Sequence, residues 1–238
     1  MVHLDISSTN ELNTVIINYT DPFASYNVTV NYFMTQEEMF LLADSHIGQR
    51  TKILSIIPEK SAYSPQIDYS SVIFPQLLTL EIHYQQIKAI HFTKDNMPRL
   101  KHLSIKKVID CIGYCTMSLP DLETLDFEFI TFTDSLGFGK SLSKSPKLKY
   151  VSCYNCMGLR DIKRHVHVLV LPNCENLDIY RSEDLCYMNI WAPKLMYLNL
   201  QACNSIKEVN ILDRIPQGYK RQSKTQKIKL FFGGRNTL

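Results

Sequence analysis

The sequence has no run of consecutive apolar residues near the roughly 18 that a membrane-spanning helix needs. Its first residues, MVHLDISSTNELNTVIINY, lack both the basic start and the continuous apolar stretch of a secretory signal. Seven cysteines, an odd number without such a signal, are expected to be free thiols in a reducing compartment, cytoplasmic or nuclear. In that setting the triplets Asn18-Tyr19-Thr20 and Asn27-Val28-Thr29 are not glycosylation acceptors. Acidic residues stop at Asp213, after which seven basic ones follow. The net charge of +3 therefore hides a mildly acidic body, residues 1–213 with 19 basic and 23 acidic side chains, and a basic tail behind it. Also missing are an HExxH-type metal motif, a paired-glycine nucleotide motif and a nucleophile in a recognisable family setting. No enzyme activity, cofactor or metal is expected.

What is present is enough apolar content for a continuous core, 45% of 238 residues, and a repeat. The frame Pro-x-Leu-x-x-Leu-x-Leu recurs in PQLLTLEI (75–82), PRLKHLSI (98–105), PDLETLDF (120–127), PKLKYVSC (146–153), PNCENLDI (172–179) and PKLMYLNL (193–200). The six prolines stand 21 to 26 residues apart. Without its proline the frame extends upstream to Leu54-Ser55-Ile56 and Val28-Thr29-Val30, and downstream to Ile228-Lys229-Leu230 as a last, degenerate strand. Repetition on this scale means that each unit buries its apolar face only against its neighbours. Between frames the apolar residues are closely spaced, as in Ile206, Val209 and Ile211 or Leu185, Met188 and Ile190, which predicts short strands or turns rather than full helices. TQEEMFLLAD (35–44) is the exception: Thr35 with Glu38 forms a capping box, which predicts a helix. An extra strand around Val15–Tyr19 is expected to close the N-terminal end.

The repeat, with Leu195, Leu198, Leu200 and Cys203 in the spacing L-x-x-L-x-L-x-x-N/C, resembles the leucine-rich repeat superfamily, in an irregular, cysteine-containing form similar to the repeat regions of F-box proteins and plant immune receptors. The resemblance implies a mostly-β solenoid of the α/β type. This would be a right-handed curved coil with a parallel sheet on its concave face and short strands, turns or an occasional helix on its convex side. Residues 1–24 would be an N-terminal cap, 25–212 the solenoid of about seven to eight repeats, and 213–238 a basic capping strand and tail. The resemblance further implies a non-enzymatic protein-interaction module, an adaptor or, by the F-box likeness, a substrate-recognition component of a ubiquitin ligase. Neither an F-box nor a nucleotide-binding module stands ahead of the repeats in this sequence, so a short adaptor or a piece of a longer gene product is the expectation.

Alternation within each frame fixes which side chains face outward. The middle column reads Thr29, Ser55, Glu81, Ser104, Asp126, Ser152, Asp178 and Asn199, all polar. One flank reads Asn31, Ile57, His83, Lys106, Glu128, Tyr154, Tyr180 and Gln201, and the other Asn27, Ile53, Thr79, His102, Thr124, Tyr150, Asn176 and Tyr197. Four tyrosines thus gather on the last three strands, near Glu81, Asp126, Glu128 and Asp178. Tyrosine is a common binding anchor, and acidic neighbours suit a protein partner with a basic segment.

Three other features invite chemistry. GFGKS (137–141) falls short of a phosphate loop because Asp134 stands where its first glycine is required. Cys153 and Cys156 with His165 and His167 have the wrong spacing for a zinc finger, and the repeat frame accounts for both thiols, Cys153 inward and Cys156, like Cys203, bonded at a turn. Lys220, Arg221, Lys224, Lys227 and Lys229 in the tail could serve nucleic acid, although Ile228, Leu230, Phe231 and Phe232 read as a closing strand among solvated lysines.

Overall fold

The computed structural model describes residues 1–59, 64–108, 115–132, 141–157, 159, 169–182, 185, 187–212 and 229–231. In chain order the described strands are β1 (Val2–Ile6), β2 (Tyr26–Val30), β3 (Thr51–Ile56), β4 (Gln66–Asp68), β5 (Thr79–His83), β6 (Gln86–Thr93), β7 (His102–Lys106) and β8 (Cys115–Ser118). They continue with β9 (Thr124–Glu128), β10 (Tyr150–Tyr154), β11 (Leu169–Val170), β12 (Asn176–Tyr180), β13 (Tyr187–Trp191), β14 (Tyr197–Asn199), β15 (Glu208–Ile211) and β16 (Lys229–Phe231). The helices among the described residues are α1 (Thr9–Asn18), α2 (Gln36–Asp44) and α3 (His46–Arg50).

Ten of the strands form one all-parallel sheet in the order β1-β2-β3-β5-β7-β9-β10-β12-β14-β16. Two three-stranded parallel sheets, β4-β6-β8 and β11-β13-β15, supply the return strands. The chain is therefore mostly β with a long parallel sheet and few helices, an architecture consistent with a repeat solenoid. None of the described helices is long and apolar enough to cross a membrane.

The buried side of the long sheet is built by the apolar positions of the repeat. Leu80 and Ile82, Leu103 and Ile105, Leu125 and Phe127, Val151 and Cys153, and Leu177 and Ile179 are all buried, and each set stands in register with the next. Return residues Ile67, Ile87, Phe92, Met117, Leu169, Met188 and Ile190 close the core from the other side. Strands alternating with short returns need no long crossover helix, because each return strand pairs with the returns beside it rather than with the long sheet.

The three residues after a frame's last apolar position end in a second buried column, Gln85, Val108, Ile130, Cys156, Ser182 and Cys203. Here the thiols replace backbone partners: Cys203 Sγ donates to Ile179 O at 3.1 Å, and Cys156 Sγ lies 3.6 Å from Phe127 O. Gln85 accepts from Met34 N at 3.1 Å and donates to Ser64 Oγ and Pro65 O, tying three segments together. The residue before this column takes a left-handed conformation every time: Tyr84, Lys107, Phe129, Asn155, Arg181 and Ala202 have φ between 51° and 59°. That turn carries the chain off the sheet, and none of the six is glycine.

The N-terminal end differs from the sequence-based expectation. Val15–Tyr19 is not a strand: Val15 to Asn18 belong to α1, whose N-cap Ser8 accepts from Glu11 N at 3.3 Å while Glu11 accepts from Ser7 N at 2.6 Å. The strand at this end is β1, with Leu4 and Ile6 in register with Val28 and Val30, so the repeat frame begins inside residues 1–24. Helix α2 has the expected capping box, and Glu38 also accepts from Thr9 of α1. Gly48 lets α3 fold back on α2, since a Cβ there would lie 2.1 Å from Leu42 O. At the other end β16 pairs with β14, Leu230 against Leu198, as the degenerate last frame predicts.

Candidate functional site

The open face of the long sheet carries the outward columns in the register read from the repeat. Thr29, Ser55, Glu81, Ser104, Asp126, Ser152, Asp178 and Asn199 are consecutive partners across eight strands. Thr124, Tyr150, Asn176 and Tyr197 form one flank, and Lys106, Glu128, Tyr154 and Tyr180 the other, with Gln201 just beyond the end of β14. With strands about 4.8 Å apart, Tyr150, Tyr154, Tyr180 and Tyr197 surround Asp178 within one or two residue positions.

The charges of this face are largely answered within it. Lys106 Nζ lies 2.9 Å from Asp126, and that hydrogen bond holds the ammonium pKa above its ordinary value. His83 Nε2 is 2.9 Å from Glu81, yet burial pushes the imidazole below its usual pKa. Lys107 approaches Glu128 to 4.0 Å. The expectation of four acids awaiting a basic segment is thus too simple, because Asp126 and Glu128 already have an ammonium neighbour and Glu81 has an imidazole beside it. Asp178 is the exception: among the described residues no cation lies within 4 Å of it. Burial raises its carboxyl above the usual Asp value, opposed by the hydrogen bond from Asn199 Nδ2 at 3.0 Å, and Asp126 adds to the rise. Asn199 is itself buried, accepting from Gln201 N at 3.0 Å, so it supports Asp178 instead of being presented outward as its column predicts.

One rim of the face, where strands leave the sheet, is aromatic. The rings of Tyr154 and Tyr180 stack at 5.3 Å and 22°, and Phe129 meets Tyr154 edge-on at 5.5 Å and 72°. Arg181 places its guanidinium 5.5 Å from the centre of the Tyr180 ring and donates to Tyr154 Oη at 3.3 Å. Lys107 Nζ sits 5.6 Å over the Tyr84 ring in the same way. Phe129 and Arg181 escaped sequence reasoning because they follow the outward column by one residue, at the left-handed turn. The sequence signal at this turn is weak, since of its six residues only Asn155 is of a type that ordinarily favours the conformation.

The opposite rim, where strands enter, is a lattice of ion pairs and amides. Glu123 takes Lys149 at 2.9 Å and Lys101 at 3.4 Å, Lys147 reaches Asp121 at 2.6 Å, and Gln76 accepts from Arg99 at 2.8 Å and Lys52 at 3.2 Å. A shallow cleft of about 150 Å³ lies between Glu123, Lys147, Lys149, Asn173, Glu175 and Lys194. Its three lysines and two glutamates leave a net charge of only +1, and Glu123 already pairs with Lys149, so it offers little field to a ligand.

The remaining candidates are quickly placed. Cys153 and Cys156 are buried, while His165 and His167 lie outside the described residues. The same is true of residues 137–140 of GFGKS; Ser141 is described, and its hydroxyl accepts from Met117 N at 2.9 Å. Lys220, Arg221, Lys224 and Lys227 also fall outside, and Lys229 opens β16. Comparison with family models, curated proteins and solved structures finds no match to this chain.

Proposed function

We infer that the chain is a leucine-rich-repeat solenoid whose open face is concave, and that it is a non-enzymatic protein-interaction module, an adaptor or substrate-recognition arm, that takes its partner on that face. The observation carrying this reading is the tyrosine field of β10, β12 and β14 continued by the Phe129–Tyr154–Tyr180–Arg181 ladder at the rim. Aromatic rings presented from a rigid sheet lose little side-chain freedom on binding and bring large contact area, the properties of interface hot spots. The ion pairs around them are satisfied internally and set specificity more than affinity.

The test is affinity capture from native cell extract, read by mass spectrometry, comparing the intact chain with a Tyr154→Ala/Tyr180→Ala variant shown to be folded. A protein captured by the first and lost by the second supports the reading, and cullin-ligase subunits among the captured proteins would specify the ubiquitin role. Identical captures would move recognition elsewhere, and RNA-dependent captures that vanish on deleting residues 219–238 would transfer it to the basic tail.

A further inference from the structure

Resting on the concave-face reading, we propose that Asp178 and the tyrosines around it form a seat for one arginine side chain, presented by an extended segment of the partner protein. Asp178 stands out among the carboxylates of the face. Asp126 and Glu128 each have a lysine ammonium within 4.0 Å and Glu81 has the His83 imidazole at 2.9 Å, whereas Asp178 has no such group among the described residues. A half-buried carboxylate without a counter-charge is a standing electrostatic cost that burial of an incoming cation would relieve. One of its roughly four acceptor positions is taken by Asn199, which fixes the group's orientation and leaves room for a two-pronged donor.

The surroundings select a guanidinium. On the exit side of Asp178 stands the stacked Tyr154–Tyr180 platform, and on the entry side Tyr150 and Tyr197 occupy the diagonal positions of β10 and β14. Rings on two sides with a carboxylate between them match a flat cation that can stack and donate at once, which ammonium does less well. The chain itself demonstrates the compatibility: Arg181 lies over the Tyr180 ring and donates to Tyr154 Oη, so this tyrosine pair already takes one guanidinium by stacking and hydrogen bonding together. An extended segment running along β12 fits the two-residue spacing of its outward side chains, with the arginine over Asp178 and flanking residues over Asn176 and Tyr180.

The experiment uses the full chain and immobilised nine-residue peptides, randomised except at a central position fixed as arginine, lysine, glutamine or glutamate. The arginine set is expected to bind at least tenfold more strongly than the glutamine and glutamate sets, with lysine between them. Asp178→Asn, which keeps a polar partner for Asn199, should reduce arginine-set binding to the glutamine level without lowering the melting temperature. Asp126→Asn, whose carboxylate is already occupied by Lys106, should change it less than twofold. Absence of binding by every set, or binding unaffected by Asp178→Asn, would overturn the seat, and equal binding of lysine and arginine sets would overturn its preference for guanidinium. Binding that ignores the central residue but disappears in Tyr154→Ala/Tyr180→Ala would overturn the arginine seat while leaving concave-face recognition standing. Partner capture indifferent to the tyrosine pair would remove both.

Discussion

The two rims of the long sheet are made by the same repeat and do opposite things with it. Where strands enter, each coil contributes a short polar or charged side chain to a lattice in which Glu123 serves two lysines and Asp121 a third. Where strands leave, six coils from β5 to β14 contribute a residue in a left-handed turn, and four of these are large: Tyr84, Lys107, Phe129 and Arg181. The entry rim pairs charge with charge, while the exit rim sets ring on ring and cation on ring and sustains backbone strain that a glycine would avoid. The two edges thus differ in the kind of contact that holds them, ion pairs at one and aromatic surface at the other.

The comparison can be broken most violently from beneath. Leu125, buried under both rims, should lose about 4 kcal/mol or more on substitution by Asp, through lost burial and an unpaired charge, as read by urea unfolding. A loss below about 1 kcal/mol would mean that the two rims do not share one core. Next in size, Tyr154→Ala/Tyr180→Ala should cost about 1–2 kcal/mol of stability, since the stack is half exposed, while abolishing partner capture. Equal losses of stability and binding would make the exit rim structural. Smaller again, Ala202→Gly should raise stability by about 0.5 kcal/mol by removing left-handed strain, partly offset by the greater freedom of glycine in the unfolded chain.

The smallest effects are the most diagnostic, because the two regions respond to pH with opposite sign. Hydrogen bonds from Lys149 and Lys101 hold the Glu123 carboxyl below its ordinary 4.5, so its contribution is present above that value and is lost as pH falls through the depressed one. Asp178 is raised above its ordinary 3.8 by burial, so its penalty is absent below 3.8 and grows as pH rises through the raised value. Thermal melts at several pH values should therefore find that Glu123→Gln flattens the loss of stability in acid. Asp178→Asn should be the more stable chain near neutrality and lose that advantage on acidification. Parallel curves for the two variants would erase the distinction between the regions.

Much of the sheet was legible because leucine spacing fixes strand register, and register fixes which side chains share a face. The middle column from Thr29 to Asn199 and the tyrosines on β10, β12 and β14 follow from that single fact. The short returns were legible too, from the tight spacing of Leu185, Met188 and Ile190. Helix α1 was misread because Val15, Ile16 and Ile17 are β-branched, although Ser8 with Glu11 offered the same capping signal that identified α2. The ion pairs that occupy Asp126, Glu81 and the entry rim depend on side-chain reach across strands, which no one-dimensional pattern records. The left-handed turns left little trace for a plainer reason, since glycine marks none of them and asparagine only one, at Asn155.

One feature of the long sheet bears on how such a molecule could change over generations. Successive prolines are separated by 23, 22, 26, 26 and 21 residues, yet the strands that follow them pair residue for residue without a slip. Differences in coil length are absorbed entirely in the returns. Insertion and deletion are thereby confined to one side of the molecule and point substitution of the face to the other. A lineage could lengthen a return without displacing Asp178 from its tyrosines, or exchange a tyrosine without disturbing any neighbouring column. The open face behaves as a grid whose ruling stays constant while its squares are rewritten, each together with the neighbours it touches.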